Sequence, residues 1–368
     1  MKVMMCFCHK KVLRVIFALV IFNSTASLIC YVFVTSSVKD EPSPLTNHRH
    51  IYQYSKGRQQ DNNSRMKRED IYPYSSEHPF WLDPERHNAE IASFHLDRIL
   101  NFRRNVPIAG RLINMTQEIL HKCDDKALLD TFFWKGESEF NGLRFVTPPR
   151  RLCMHHMVTF IGECLPWFCN DEHPICGISD LLEVSVAQFL PKCPDSKYPV
   201  NDRAYPWSQE VKESKVWKNT NICDQVLMDL QNRNDRTFLD LIDLAIFDFL
   251  IVNYDRHSYT SLNQLKNKSF VTILDNGKGF GNPNNDELTI LAPVYQCCKV
   301  RRSTYYRLKE LENSKLSTSM RSSMSHDAIS PILSEAFLAA LDRRLMNAIE
   351  TIQKCFLENG EDRVLMGY

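Results

Sequence analysis

Residues 247–281 read FDFLIVNYDRHSYTSLNQLKNKSFVTILDNGKGFG, and the fold is decided there. The residues leading in, LDLIDLAIFDFLIV (239–252), are apolar nearly all round, which marks a helix buried in a core. That helix runs straight into Asn253-Tyr254-Asp255-Arg256-His257. Further on, Phe270-Val271-Thr272-Ile273-Leu274 is a β-branched run that predicts a short strand, and it stops abruptly at Asp275-Asn276-Gly277. Each piece has an ordinary reading. Asp255 beside Arg256 is a structural ion pair at a helix end. Asp/Asn-Gly is a common hairpin turn. Gly277-Lys278-Gly279-Phe280-Gly281 looks like a phosphate-cradling loop, but it follows an acidic strand end and opens no helix, so that reading is rejected. Order and spacing outweigh the ordinary readings: a buried helix delivers one aspartate to a loop, and a short strand presents a second twenty positions later.

A kinase lays out its large lobe in this way. One aspartate orients the acceptor hydroxyl, and the other holds the divalent metal that bridges nucleotide phosphates. The glycine at 277 would let the backbone turn sharply after the metal-binding residue. Working outward, a helical pattern starts at Pro84 behind Asp83 as N-cap and runs through ERHNAEIASFHLDRILNF. Ile91, His95, Ile99 and Phe102 mark its period, and Glu90 lies on a neighbouring face. Glu90 is the candidate for the kinase helix glutamate that points into the cleft; a solvated pair with Arg86 is the plain alternative. The segment Pro331–Phe356 reads as helical, with Phe337, Leu341, Leu345, Ile349 and Ile352 at helical spacing. From Gly136 to Cys193 the chain reads as loop-rich and cysteine-rich. The fold class expected is α+β with a predominantly helical C-terminal half.

The chain has 368 residues, with 43% hydrophobic and 24% charged side chains, so wholesale disorder and polytopic membrane classes are excluded. Lys+Arg 45 against Asp+Glu 44 leaves a net charge of +1, which argues against a nucleic-acid partner bound through bulk charge. Val15–Val34 (VIFALVIFNSTASLICYVFV) is long enough to span a bilayer as a helix, and Lys2, Lys10, Lys11 and Arg14 precede it. The expectation is a single membrane anchor of type II topology, or a cleaved signal peptide, with the bulk of the chain in the lumen. Sequons at Asn62, Asn114 and Asn267 agree with a glycosylated luminal protein. Beyond Cys6, Cys8 and Cys30 there are ten cysteines, an even number. Cys164, Cys169 and Cys176 lie near His155, His156 and His173, which in the cytosol would suggest zinc; in an oxidising lumen disulfides are expected instead. Four segments follow: a cytosolic tail and signal segment (1–34), a polar stalk with a small-lobe remnant (35–78), a kinase-like domain (79–356) and a C-terminal tail (357–368).

ERHNAEIASFHLDRIL from Glu85, the DRH loop at Asp255, LDNGKGFG from Leu274, DELTILAP from Asp286, QCC from Gln296 and STYYRL from Ser303 closely resemble the secretory-pathway kinase family. That family includes the Golgi casein kinase and the glycosaminoglycan xylosylkinase. The resemblance covers Pro79 to Phe356. It implies an atypical two-lobed kinase fold stapled by disulfides, a Golgi or secreted location, ATP as donor, and Mn2+ as preferred metal with Mg2+ as substitute. It makes Asp255 the catalytic aspartate, Asp275 the metal ligand, and Glu90 the glutamate that also approaches the metal. It implies disulfides joining Cys223 and Cys355 to the adjacent Cys297–Cys298 pair, and it places Cys153, Cys164, Cys169 and Cys176 in a disulfide-bonded insert where Thr159 replaces one family cysteine.

The chain departs from the family pattern in its small lobe. Between Thr35 and Arg86 the only glycine is Gly57, and Asp61-Asn62-Asn63-Ser64-Arg65 stands where a Phe-Lys-Pro strand is expected before Met66-Lys67. The small lobe therefore reads as incomplete. In the catalytic loop, Ser258 and Thr260 stand where relatives have His and Glu. The leading expectation is a kinase acting on serines of secreted acidic proteins at Ser-x-Glu sites. The first alternative is a xylosylkinase acting on the proteoglycan linker glycan, which FGNP at Phe280 and ISPIL at Ile329 resemble. The second is a pseudokinase that supports a paralogue, as a homodimer or heterodimer; the acidic residue at Glu90, which a pseudokinase relative has lost, favours activity. A disulfide-rich matrix protein is the remote non-kinase reading. Lys299, Arg301 and Arg302 are candidates for a basic rim that binds an acidic peptide or sugar phosphate, with a solvated face as the alternative.

Overall fold

The computed structural model describes residues 17–23, 26–33, 86–124, 129, 132–140, 143–154, 175–176, 180–188, 200–209, 211–231, 235–262 and 270–367. In chain order the elements used below are strands β1 (Phe17–Asn23) and β2 (Ala26–Phe33), helix α1 (Arg86–Ile99), strands β3 (Ile108–Asn114), β4 (Phe132–Phe140), β5 (Leu143–Met154), β6 (Ile175–Cys176), β7 (Leu181–Gln188) and β8 (Val200–Ala204). The large lobe follows with helices α2 (Val211–Asn219), α3 (Cys223–Gln231) and α4 (Asp235–Ile251), then strands β9 (Ser258–Leu262) and β10 (Val271–Thr272). It ends with α5 (Ala292–Cys297), α6 (Arg302–Glu310), α7 (Lys315–Met324) and α8 (Glu335–Asn359).

The core is organised around α4. Leu241, Ile242, Leu244, Ala245, Ile246, Phe247, Phe249, Leu250 and Ile251 are all fully buried, as an apolar circumference demands. Three aspartates interrupt that circumference, Asp240, Asp243 and Asp248, and all are buried too. A buried carboxylate is tolerated only with cations and hydrogen bonds around it. Asp240 accepts from Arg301 at 2.7 Å and from the backbone N–H of Val271 at 3.1 Å, and Arg104 lies at 3.1 Å. Asp243 accepts from Arg301 Nε at 3.0 Å, from Thr304 at 2.7 Å and from Arg104. These ion pairs lash the segment after α1, strand β10 and the start of α6 onto one helix. The disulfides Cys223–Cys297 and Cys298–Cys355 tie α3 and α8 to the end of α5.

The sheet beside α1 runs in the order β1-β2-β7-β3. The register of β3 on β7 is antiparallel, from Ile108 opposite Ala187 to Asn114 opposite Leu181. Strands β5, β6 and β7 and the second half of β4 fall inside the segment expected to be loop-rich. In LLEVSVAQ the buried positions Leu182, Val184, Ser185 and Ala187 fall on both faces of the strand, so no clean alternation marks it in the sequence.

Residues 15–34 hold the expected membrane segment. A membrane-crossing helix was expected, but residues 17–23 and 26–33 are antiparallel strands, and β2 pairs with β7 from Cys30 opposite Gln188 to Phe33 opposite Ser185. Among the described residues no helix is long and apolar enough to cross a membrane. The stretch is rich in Val, Ile, Phe and Tyr, which suit strands as well as bilayers, and hydropathy alone does not separate the two. Residues 35–78, where the nucleotide-binding strands were sought, lie outside the described residues, as do Asn62, Asn267, Cys164 and Cys169. Cys153 and Cys176 sit directly opposite each other in the β5–β6 register. Asn114 ends β3, and its side-chain oxygen accepts from the N–H of Gln117 at 2.7 Å.

Candidate active site

The site forms where α4 ends, β10 ends and α1 crosses in front of both. At the close of α4 the chain turns through Val252, whose φ of +52° places a β-branched residue in the left-handed region. Such strain persists only where surrounding contacts over-determine the backbone. The contacts are present. Asn253 is buried; its amide donates to Asp248 and to the Asp275 carbonyl, both at 3.4 Å, and its oxygen accepts from the N–H of Asp255 at 3.2 Å. The backbones of Asp255 and Asp275 are therefore held through one amide side chain.

Arg256 is the second clamp. Its guanidinium grips Asp248 with two hydrogen bonds of 2.9 Å, donates to the Leu274 carbonyl, and reaches Asn276 Oδ1 at 2.9 Å. Burial pushes the Asp248 carboxyl up while Arg256 opposes it, and the facing aspartates hold Arg256 firmly protonated. The plain reading of Asp255 beside Arg256 as an ion pair gives way here: Arg256 turns inward to Asp248. Asp255 instead pairs with Lys278 Nζ, with the lysine side chain 22% and the aspartate side chain 35% exposed, so the pair reaches solvent.

Asp275 has a φ of +60°, and Gly277 is not among the positive-φ residues. The sharp turn after β10 is thus made by the aspartate itself, at a residue type that tolerates the left-handed region better than most. Beyond it the loop is tied at each step. Gly279 N–H donates to the Asn276 carbonyl at 2.9 Å, and Phe280 N–H donates to the Ile251 carbonyl at 2.5 Å. A Cβ on Gly279 would stand 2.9 Å from Ile251 Cδ1, which explains a glycine in this packed position.

Glu90 arrives from α1, and it is buried, not on a solvated face. It accepts the backbone N–H of Asn276 at 2.8 Å and the Asn276 amide at 3.4 Å. Its carboxyl is pushed from 4.5 up to about 7, chiefly by burial and then by the negative charge of Asp275; Asn276 and Arg256 pull the other way. Helix α1 is positioned for this by packing on all sides. Ile91, Ala92 and Leu96 are fully buried, and Asp97 accepts the Arg104 N–H at 3.0 and 3.1 Å.

A buried carboxylate, Glu90, close enough to the exposed Asp275 to feel its charge, fits a divalent cation, which would offset both charges. Among the described residues no group of three or more His, Cys, Asp or Glu side chains forms a complete metal site. The remaining ligands for a cation between Glu90 and Asp275 would have to come from elsewhere, and phosphate oxygens suit a hard metal. The expected basic rim does not form as a set. Arg301 is spent on Asp240 and Asp243, and Lys299 donates to the Arg363 carbonyl at 2.6 Å.

The raised carboxyl gives a testable pH dependence. With its folded pKa above 4.5, Glu90 binds a proton in the native state that the unfolded chain releases. Its favourable contribution is complete below about pH 4.5 and is lost as pH rises through about 7. In chelator, Glu90→Gln should melt higher than the parent at pH 8, with the gap closing toward pH 5, and added Mn2+ should no longer raise its Tm. A variant that melts lower than the parent at pH 8 would contradict this assignment.

Comparison with known proteins places this geometry. Residues 62–364 match the family described as Golgi casein kinase, C-terminal, Fam20. The human extracellular serine/threonine protein kinase FAM20C is 40% identical over 284 residues, 76% of this chain and 45% of that protein. The human glycosaminoglycan xylosylkinase is 37% identical over 300 residues, 80% of this chain and 67% of that protein. A crystal structure of the Golgi casein kinase with Mn/ADP bound superposes with a TM-score of 0.72 at 28% identity, covering 99% of this chain and 74% of the other. The chain spans about half the length of FAM20C and two thirds of the xylosylkinase.

Proposed function

Because the chain belongs to the Fam20 family of the Golgi casein kinase, we propose that it is a kinase of the secretory pathway that transfers the γ-phosphate of ATP to serines of secreted proteins, at acidic Ser-x-Glu sites. The observation that carries this reading is the contact of Glu90 with Asn276 across 186 positions, which sets a buried helix carboxylate beside Asp275. Asp275 and Glu90 would hold a Mn2+ ion, or Mg2+ in its place, which would supply charge neutralisation at the transferring phosphate.

The protein's own groups do the rest. Asp255 orients the acceptor hydroxyl and takes its proton as the acceptor oxygen forms its bond to the γ-phosphorus. The bond from that phosphorus to the β–γ bridging oxygen breaks, and ADP leaves with the electron pair. Asn253 and Arg256 hold the aspartates in register, so little reorganisation is needed at the moment of transfer.

A xylosylkinase activity on the proteoglycan linker is the second reading, favoured by the 37% identity to that enzyme. The blocks that resemble it are weak support. Ile329 and Ile332 are fully buried, and Phe280 packs edge-on against Phe337 at 6.3 Å, so all three side chains serve the core. The test is transfer of labelled phosphate, in Mn2+, to an acidic serine peptide and separately to a xylose-containing linker oligosaccharide. Label in the peptide alone supports the first reading, label in the sugar alone the second, and label in neither overturns both.

The location proposed is the Golgi lumen or the secreted space, supported by the two disulfides and by relatives named extracellular kinases. Residues 15–34 are proposed to act as the membrane-targeting segment during synthesis. Chain made in a secretory host should shift to lower mass on treatment with an N-glycosidase; an unshifted chain would place it elsewhere.

A further inference from the structure

We propose that Lys278 is the side chain that binds the transferring phosphate, and that its pair with Asp255 is the resting position it leaves when a nucleoside triphosphate enters. This rests on the kinase reading and deepens it. A transferring phosphoryl group spreads charge over its outer oxygens, and cations aimed at them lower the barrier. The question is which cation of this site, among the described residues, has a charge to give. Arg256 does not: it is buried, with its donors on Asp248, Leu274 and Asn276. Arg104 and Arg301 are committed to Asp240 and Asp243 behind α4.

Lys278 is different in kind. It sits between two fixed points, because Asn276 is held by Glu90 and Arg256 while Phe280 is held by Ile251. The backbone under Lys278 is therefore anchored, while its ammonium is partly exposed to solvent, against the carboxylate proposed to receive the acceptor proton. A lysine has three donors on a flexible stem, so it can exchange one anionic partner for another without moving the loop. Such an exchange also frees Asp255 to meet the acceptor hydroxyl once phosphate is present, which links the two groups functionally. The sequence GKGFG thus holds a phosphate ligand, although it is not a helix-opening phosphate loop.

The test uses the full chain from a secretory host, with Mn2+ and either ADP or the non-hydrolysable ATP analogue AMP-PNP, in titration calorimetry. Loss of a charge-assisted hydrogen bond to the γ-phosphate should weaken AMP-PNP binding by about tenfold or more in Lys278→Gln, with ADP affinity changed by less than about twofold. Lys278→Arg should restore most of the loss. On the unmodified protein, acylation of Lys278 by an amine-reactive reagent, read by mass spectrometry, should slow in Mn2+ with AMP-PNP and not with ADP. Equal affinities for AMP-PNP in parent and variant, or equal loss for both nucleotides together with unprotected Lys278, would overturn the assignment while leaving the kinase reading standing. Failure of the unmodified chain to bind either nucleotide would overturn both.

Discussion

Asp275→Asn is expected to lower phosphate transfer by about 10³-fold or more while leaving the fold intact. Removing the proposed metal ligand forfeits several kcal/mol of charge stabilisation, and each 1.36 kcal/mol is a factor of ten in rate. Asparagine is the right replacement for a structural reason. Residue 275 has a φ of +60°, and Asn shares the aspartate's tolerance of the left-handed region, whereas a bulky or β-branched residue would add strain. The Asp275 carbonyl, which accepts from Asn253, is untouched by the change. The expected result is an unchanged Tm in chelator, loss of the Tm rise with Mn2+ and nucleotide, and label incorporation near background. Transfer within about tenfold of the parent would remove Asp275 from the metal site.

Arg256→Met is expected to have the largest effect on stability. The arginine is the counter-ion of a fully buried Asp248, and removing one partner of such a pair costs about 3–5 kcal/mol because the other charge is left uncompensated. For a domain of this size that is a fall in Tm on the order of 10 °C. The same change releases the Leu274 carbonyl and Asn276 Oδ1, so transfer should fall with stability. Combining it with Asp248→Leu removes the stranded charge and should recover much of the Tm, but not the activity, since the link to Asn276 stays broken. A double variant no more stable than the single one would show that the cost lies elsewhere in the loop.

Much of the site was legible before any coordinates. The apolar run 239–252 announced a buried helix, Asp255 and Asp275 followed at the spacing of a two-aspartate centre, and Glu90 lay in a helical stretch of its own. The parts that were missed share a cause. Asp240, Asp243 and Asp248 stood out within the apolar run, and three buried carboxylates require cations, but nothing local says which. Their partners are 136 positions back at Arg104, 61 positions on at Arg301, and 8 positions on at Arg256. Lys278 was passed over for a related reason: a phosphate loop was judged by its match to a helix-opening template, whereas its proposed role depends on reaching across to Asp255.

Local order along the chain determined which residue types are present, how many positions separate them, and which segments must be buried, because those follow from side-chain chemistry and backbone periodicity alone. The tertiary structure decided whether 17–33 would lie in a sheet, which arginines would be consumed by α4, and that a glutamate 186 positions away would close on Asn276. Burial and charge compensation are sums over everything that surrounds a group, and the surroundings exist only once the chain has folded.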